Sequence, residues 1–171
     1  MTRRLDFTPI VSLIVYASLP LAIMLCIVWA LNPSGHRTYH YDFAAQSPAI
    51  SPLFPQQRLA TADGGAKVVL AQPVYFTVRY LRPYTTVRVR VRVENPAGRE
   101  WKLGLQKGLS GVSAYDLKIP DENGEAVFSA AGSVVSDRKI RFVIGVDGRS
   151  NELFRVSDIT VDFDGDKLFS P

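Results

Sequence analysis

Arg88, Arg90 and Arg92, set at alternate positions in Thr86-Val-Arg-Val-Arg-Val-Arg-Val93, are the residues of this chain whose type and spacing most directly require a partner. On a strand they share one face, with Val87, Val89, Val91 and Val93 on the other. Same-face neighbours stand about 7 Å apart, so three cations in a row repel unless opposite charge lies against them. Carboxylates on an adjacent strand, with Asp158, Asp162 and Glu94 as candidates, would make this a solvated outer face that also discourages edge pairing. An anionic polymer or a lipid headgroup is the other answer, and it would make the three arginines ligand-binding residues.

A second pattern, Asp162-Phe-Asp-Gly-Asp166, places Asp162, Asp164 and Asp166 as oxygen donors of the kind a calcium ion takes. The glycine falls too early for a helix-loop-helix calcium loop and no bidentate Glu follows, so a solvated strand end is the competing reading. Tyr84, Trp101 and Tyr115 stand beside turns or strand ends, where an exposed ring can serve as a platform for a sugar. A ring folded into the core is the alternative, since each buries a large area.

Catalysis finds little to work with. The two histidines, His36 and His40, fall just after an apolar segment, a poor place to hold a base in fixed geometry. The single cysteine, Cys26, lies inside that segment, and there is neither a Gly-x-Ser-x-Gly elbow nor a Gly-Lys-Ser/Thr phosphate loop. Asp121, Glu122 and Glu125 belong to an expected hairpin turn. The chain is therefore read as a non-enzyme, with no cofactor implied beyond the candidate structural calcium. The net charge of +4 is spread along 171 residues without a groove-reading or base-stacking motif, so nucleic acid is not an expected partner.

The elements that must position these residues begin after an uncharged stretch between Asp6 and His36. Its apolar centre, Ile10 to Leu31, would cover about 33 Å as a helix, close to the roughly 30 Å hydrocarbon core of a bilayer. Residues 10–31 are read as a transmembrane helix contacting lipid and 1–9 as a cytoplasmic tail, because Arg3 and Arg4 outweigh the single Arg37 on the other flank. The rest is then extracytoplasmic at the cell membrane. Cleavage after Val28-Trp29-Ala30 is the alternative, although the apolar run is longer than a signal peptide needs. Residues 32–65, rich in Pro, Ser, Ala and Gln, read as a stalk or an extended wrap in which 38–43 alternates as a first strand would and Ser51-Pro-Leu-Phe-Pro55 is a candidate to pin apolar side chains to the domain.

From residue 66 to 171 the period becomes two. Strands are expected at 67–71, 74–80, 86–93, 101–106, 115–119, 126–130, 139–146 and 154–163, with turns at 95–98, 120–124 and 147–150. About eight short strands at this spacing indicate an all-β antiparallel sandwich, jelly-roll-like, preceded by the one N-terminal helix. Ile140, Phe142, Ile144 and Val146, together with Ile159, Val161 and Phe163, are expected to face the core.

Ser51-Pro-Leu-Phe-Pro55, Gln72-Pro-Val-Tyr-Phe-Thr-Val-Arg79 and Arg82-Pro-Tyr84, within 39–105, resemble the opening of uncharacterised membrane-anchored bacterial proteins. The closing hairpin, 140–163, is similar in pattern to the last strands of jelly-roll, galactose-binding-like and carbohydrate-binding modules. The first resemblance implies an anchored envelope protein and the second a sandwich; neither implies a binding residue. The expectation is a non-catalytic module that binds an envelope glycan or envelope protein. A structural or accessory subunit of a larger envelope assembly is the alternative.

Overall fold

A computed structural model describes residues 16, 18–27, 35–81, 83–95, 98, 100–109, 112–146 and 154–165, without the side chains of 109, 112 and 113. The chain divides into two units, Met1–Gly35 with Lys167–Pro171, and His36–Asp166. In the first, residues 18–27 are helical. Among the described residues no helix is long and apolar enough to cross a membrane. The expected tail at 1–9, the remainder of the expected span and the alternative cleavage site lie outside the described residues.

The second unit is an antiparallel sandwich of two sheets. Its strands are β1 (His36–Tyr41), β2 (Leu59–Thr61), β3 (Lys67–Val69), β4 (Val74–Arg79), β5 (Thr86–Glu94), β6 (Trp101–Leu109), β7 (Val112–Lys118), β8 (Glu125–Ser129), β9 (Lys139–Val146) and β10 (Phe154–Asp164). One sheet runs β2-β3-β10-β5-β8, with β1 also alongside β10; the other runs β4-β9-β6-β7. The central strand β10 pairs with β5 on one side, and on the other with β3 along its first residues and β1 along its last.

The boundary expected at residue 66 requires correction. The sandwich begins at His36 rather than at residue 66, because the Pro-rich segment is folded in. After β1, the chain crosses to the other sheet and lies along β4, where Ser51 N–H donates to Thr77 O at 2.8 Å and Phe54 N–H to Tyr75 O at 2.9 Å. An edge position suits this composition, since proline cannot donate to a ladder and is tolerated where one side of a strand faces out.

Alternation decides what is buried. Val87, Val89, Val91, Ile140, Phe142, Ile144, Ile159, Val161 and Phe163 are all fully buried and Val146 nearly so, as their period predicts. A register shift between Val156 and Asp158 inserts an extra residue into β10. That bulge keeps Phe154 and Val156 on the same inner face as Ile159, and turns Asp158 outward. The turn before β8 is tied by the Asp121 carboxylate, which accepts from the Asn123 and Glu125 N–H groups at 2.9 Å each.

Candidate functional site: the outer faces of the two sheets

On the six-stranded sheet the arginine ladder is matched by carboxylates of the same face. The Glu125 side chain sits between two rungs, with Arg88 Nε at 3.1 Å from one oxygen and Arg90 Nη2 at 2.7 Å from the other. Arg92 Nε lies 3.3 Å from Asp158, and Arg155 reaches Glu94 at 3.4 Å. Hydrogen bonding from Arg90 to the Glu125 carboxylate raises the guanidinium's already high pKa. Asp162 instead accepts from the Thr38 hydroxyl, and Asp164 is paired with His36 Nδ1 at 2.7 Å. An open groove of about 1010 Å³, lined in part by His40, Asp42, Arg90, Arg92, Asn123 and Asp158, crosses this face. It contains cations and anions side by side.

Because one carboxylate serves two arginines, Glu125→Ala should leave Arg88 and Arg90 repelling each other. The expected result is a lower melting temperature at low salt, with the deficit shrinking as salt screens the pair. Thermal melts at low and high ionic strength measure it; a deficit independent of salt would mean that Glu125 acts by packing.

The four-stranded sheet carries a different outer face. Inward Val74, Phe76 and Val78 force Tyr75 and Thr77 outward on β4. The chain segment paired to β4 brings Phe54 beside Tyr75, with ring centroids 5.7 Å apart and planes at 29°. Tyr115, from β7 at the far edge, reaches the other side of Tyr75 at 6.2 Å. Two strands lie between those tyrosines, and their rings meet because little stands beneath them. Gly104 occupies the β6 position opposite Val143 and Leu117. Val143, outward on β9, is only 6% exposed. A Cβ on Gly104 would fall 2.6 Å from both the Val143 and Leu117 side chains and 3.4 Å from Tyr115 Cβ.

Polar groups flank this row. Thr77 pairs with Arg141 across β4 and β9, and Tyr115 with Gln106 across β7 and β6. The Arg141 guanidinium stands 5.8 Å from the Phe54 ring centroid. Beside the row is a pocket of about 200 Å³ whose lining includes Thr77, Gln106, Asp137, Lys139 and Arg141.

Of the aromatic candidates read from the sequence, Tyr115 joins this row. Tyr84 does not: it is core, 6% exposed, with its ring 4.7 Å from Phe163 and 5.5 Å from Tyr80. Trp101 is half-buried on the inner side of β6, 5.7 Å from the Phe154 ring. Asp162 and Asp164 are engaged by β1, and Asp166 lies outside the described residues. Among the described residues no group of three or more His, Cys, Asp or Glu is placed to hold a metal ion.

Sequence reasoning missed Phe54, Tyr75, Gln106 and Arg141. A signal was present for Tyr75, a tyrosine on the outward beat of an otherwise alternating strand. For Phe54 the signal was only the apolar pair in Ser51-Pro-Leu-Phe-Pro55, and its place beside Tyr75 depends on a pairing the sequence does not show.

No protein-family model matches the chain, and no curated protein matches it. Among solved structures, it is similar to a xylan-binding module, CBM15, at 15% identity and a TM-score of 0.43, covering 77% of this chain and 99% of that one. A family 32 carbohydrate-binding module from C. perfringens NanJ, in complex with galactose, gives 14% identity and 0.34 over 76% and 95%. A third, TmCBM61 in complex with β-1,4-galactotriose, gives 16% and 0.30 over 76% and 89%. Overlap at this level says nothing about a ligand, so the functional reading rests on this chain's own side chains.

Proposed function

We propose that this protein is a non-catalytic glycan-binding module that holds a sugar chain across the outer face of its four-stranded sheet. The observation that carries this reading is the Phe54–Tyr75–Tyr115 row with Thr77, Gln106 and Arg141 along its side. A sugar ring presents a patch of C–H groups that packs on an aromatic face, while its hydroxyls need donors and acceptors at the margin. The row supplies the first and the flanking side chains supply the second.

The test is binding of the full chain, in detergent micelles, to a panel of immobilised glycans. Saturable binding is expected, weakened at least about tenfold by Tyr75→Ala or Tyr115→Ala. Trp101→Ala and the combined Arg88, Arg90 and Arg92→Ser variant should bind as the parent does. A folded protein that binds no glycan would overturn the proposal.

The module is proposed to work outside the cytoplasm, held to the cell membrane by residues 10–31. Supporting this, the helical residues Leu19, Leu21, Ile23, Met24, Leu25 and Ile27 are exposed and apolar on every side of the stretch they occupy. Alkaline carbonate should leave the protein in the membrane pellet, and protease added to intact cells should digest the sandwich; release into the soluble fraction would reject the anchor. The second reading, a subunit of an envelope assembly, is favoured by β7, which among the described residues pairs with β6 alone and is followed by exposed Ile119 beside exposed Leu117. A discrete oligomer that dissociates on Leu117→Lys would support it.

A further inference from the structure

We infer that the glycan taken by this face is acidic, a sugar chain bearing carboxylate, sulfate or phosphate groups, with an oxyanion seated against Arg79, Lys139 and Arg141. The inference rests on the glycan-binding reading and specifies its ligand.

The arginines of β5 and β10 and those of β4 and β9 differ in how their charge is met. On the six-stranded sheet, Arg88, Arg90, Arg92 and Arg155 each lie within 3.4 Å of a carboxylate. On the four-stranded sheet, Arg79 and Lys139 stand directly opposite one another in the β4–β9 register, and Arg141 is two residues along the same face. Among the described residues none of these three has an ion pair.

Like charges facing each other across a ladder destabilise it. Carboxylates that could relieve them are scarce. The outward positions of β4, β9, β6 and β7 contain no Asp or Glu, and Asp116 on β7 lies opposite the buried Leu105. Asp137 is the acidic residue in the lining of the pocket that holds Lys139 and Arg141. On the far side of Arg79, a pocket of about 290 Å³ adds a further cation, Arg37, stacked 5.4 Å from the Tyr39 ring centroid.

These cations adjoin the aromatic row, since Arg141 lies over Phe54. A polymer laid on the rings therefore carries its substituents past them. A neutral sugar would leave the opposed pair uncompensated, whereas an oxyanion on the sugar ring would remove the repulsion on binding and gain charge-assisted hydrogen bonds.

The experiment compares polymers with matched backbones on the full chain in detergent micelles. The probes are polygalacturonate and its methyl ester for carboxylate, and dextran sulfate and dextran for sulfate. The expected result is at least about tenfold tighter binding to an acidic polymer than to its neutral counterpart, falling with salt. The double variant Arg79→Gln with Lys139→Gln should lose that preference and keep binding to the neutral polymer, and its melting temperature should equal or exceed the parent's. Tyr75→Ala should weaken binding to both.

Equal affinity for neutral and acidic members, or an acidic preference untouched by the double variant, would overturn this inference while leaving the glycan reading in place. Binding to none of these polymers would overturn this inference, and failure on the whole glycan panel as well would overturn the glycan reading with it. Binding confined to single-stranded DNA or to anionic phospholipid vesicles, run alongside as further probes, would overturn both.

Discussion

Gly124→Ala should destabilise the sandwich by more than about 3 kcal/mol, more than a typical single substitution. Gly124 ends the turn before β8 at φ +74, a region where a side chain is strained. A Cβ there would also run into the backbone carbonyl of Val91, and Val91 is fully buried in the middle of β5. Nothing flexible can move aside, because the Val91 N–H is itself bonded to Gly124 O at 3.0 Å. Gly132→Ala is the control: its φ is +71, but nothing lies within 4 Å of an added Cβ, so it should cost only about 1 kcal/mol. Urea denaturation of the two variants separates strain from collision; equal losses would mean that the close approach to Val91 is without consequence.

Phe142→Ala is expected to cost about 3 to 5 kcal/mol. Its ring stacks on Phe76 from the neighbouring strand at 5.2 Å and approaches Phe128 from the opposite sheet at 6.0 Å. Truncation would therefore open a void between the sheets rather than at a margin. No disulfide supports this fold, as the one cysteine is in the N-terminal unit, so burial must hold the two layers together. Phe142→Leu, which refills most of the volume, should recover much of the loss in the same denaturation series. A leucine variant as unstable as the alanine one would point to ring stacking instead of volume.

Most of the sandwich was legible because strands buried on one face repeat every second residue. The inner residues of β5, of β9 and of β10 from Ile159 onward follow from that period alone, while Phe154 and Val156 reach the same face through the bulge. What escaped was structure without a period. With three residues, β2 is too short to alternate, and 49–54 offers apolar residues to pack but no period that says they lie against β4. By spacing Glu125 belongs to a turn, yet as the first residue of β8 it comes into register with Arg90. The arginine ladder thus drew attention to the face where charge is already balanced. On the other face, Phe54, Tyr75 and Tyr115 come from three separate pieces of chain, and no local pattern joins them. Gly104 shows the same limit: its lack of a side chain matters because of Val143 and Leu117, which register places beside it.

The pairing of β1 with β10 bears on how the protein would carry tension. His36 is opposite Asp164 and Tyr41 opposite Ile159, so a pull applied at residue 36 in the direction of β1 would load that ladder lengthwise. Every rung of that ladder is then loaded together, and they must slip as a set instead of peeling one after another. The His36 and Thr38 side-chain contacts to Asp164 and Asp162 add to the resistance at the end where the pull arrives. Pulled in that direction, the sandwich would hold by shear.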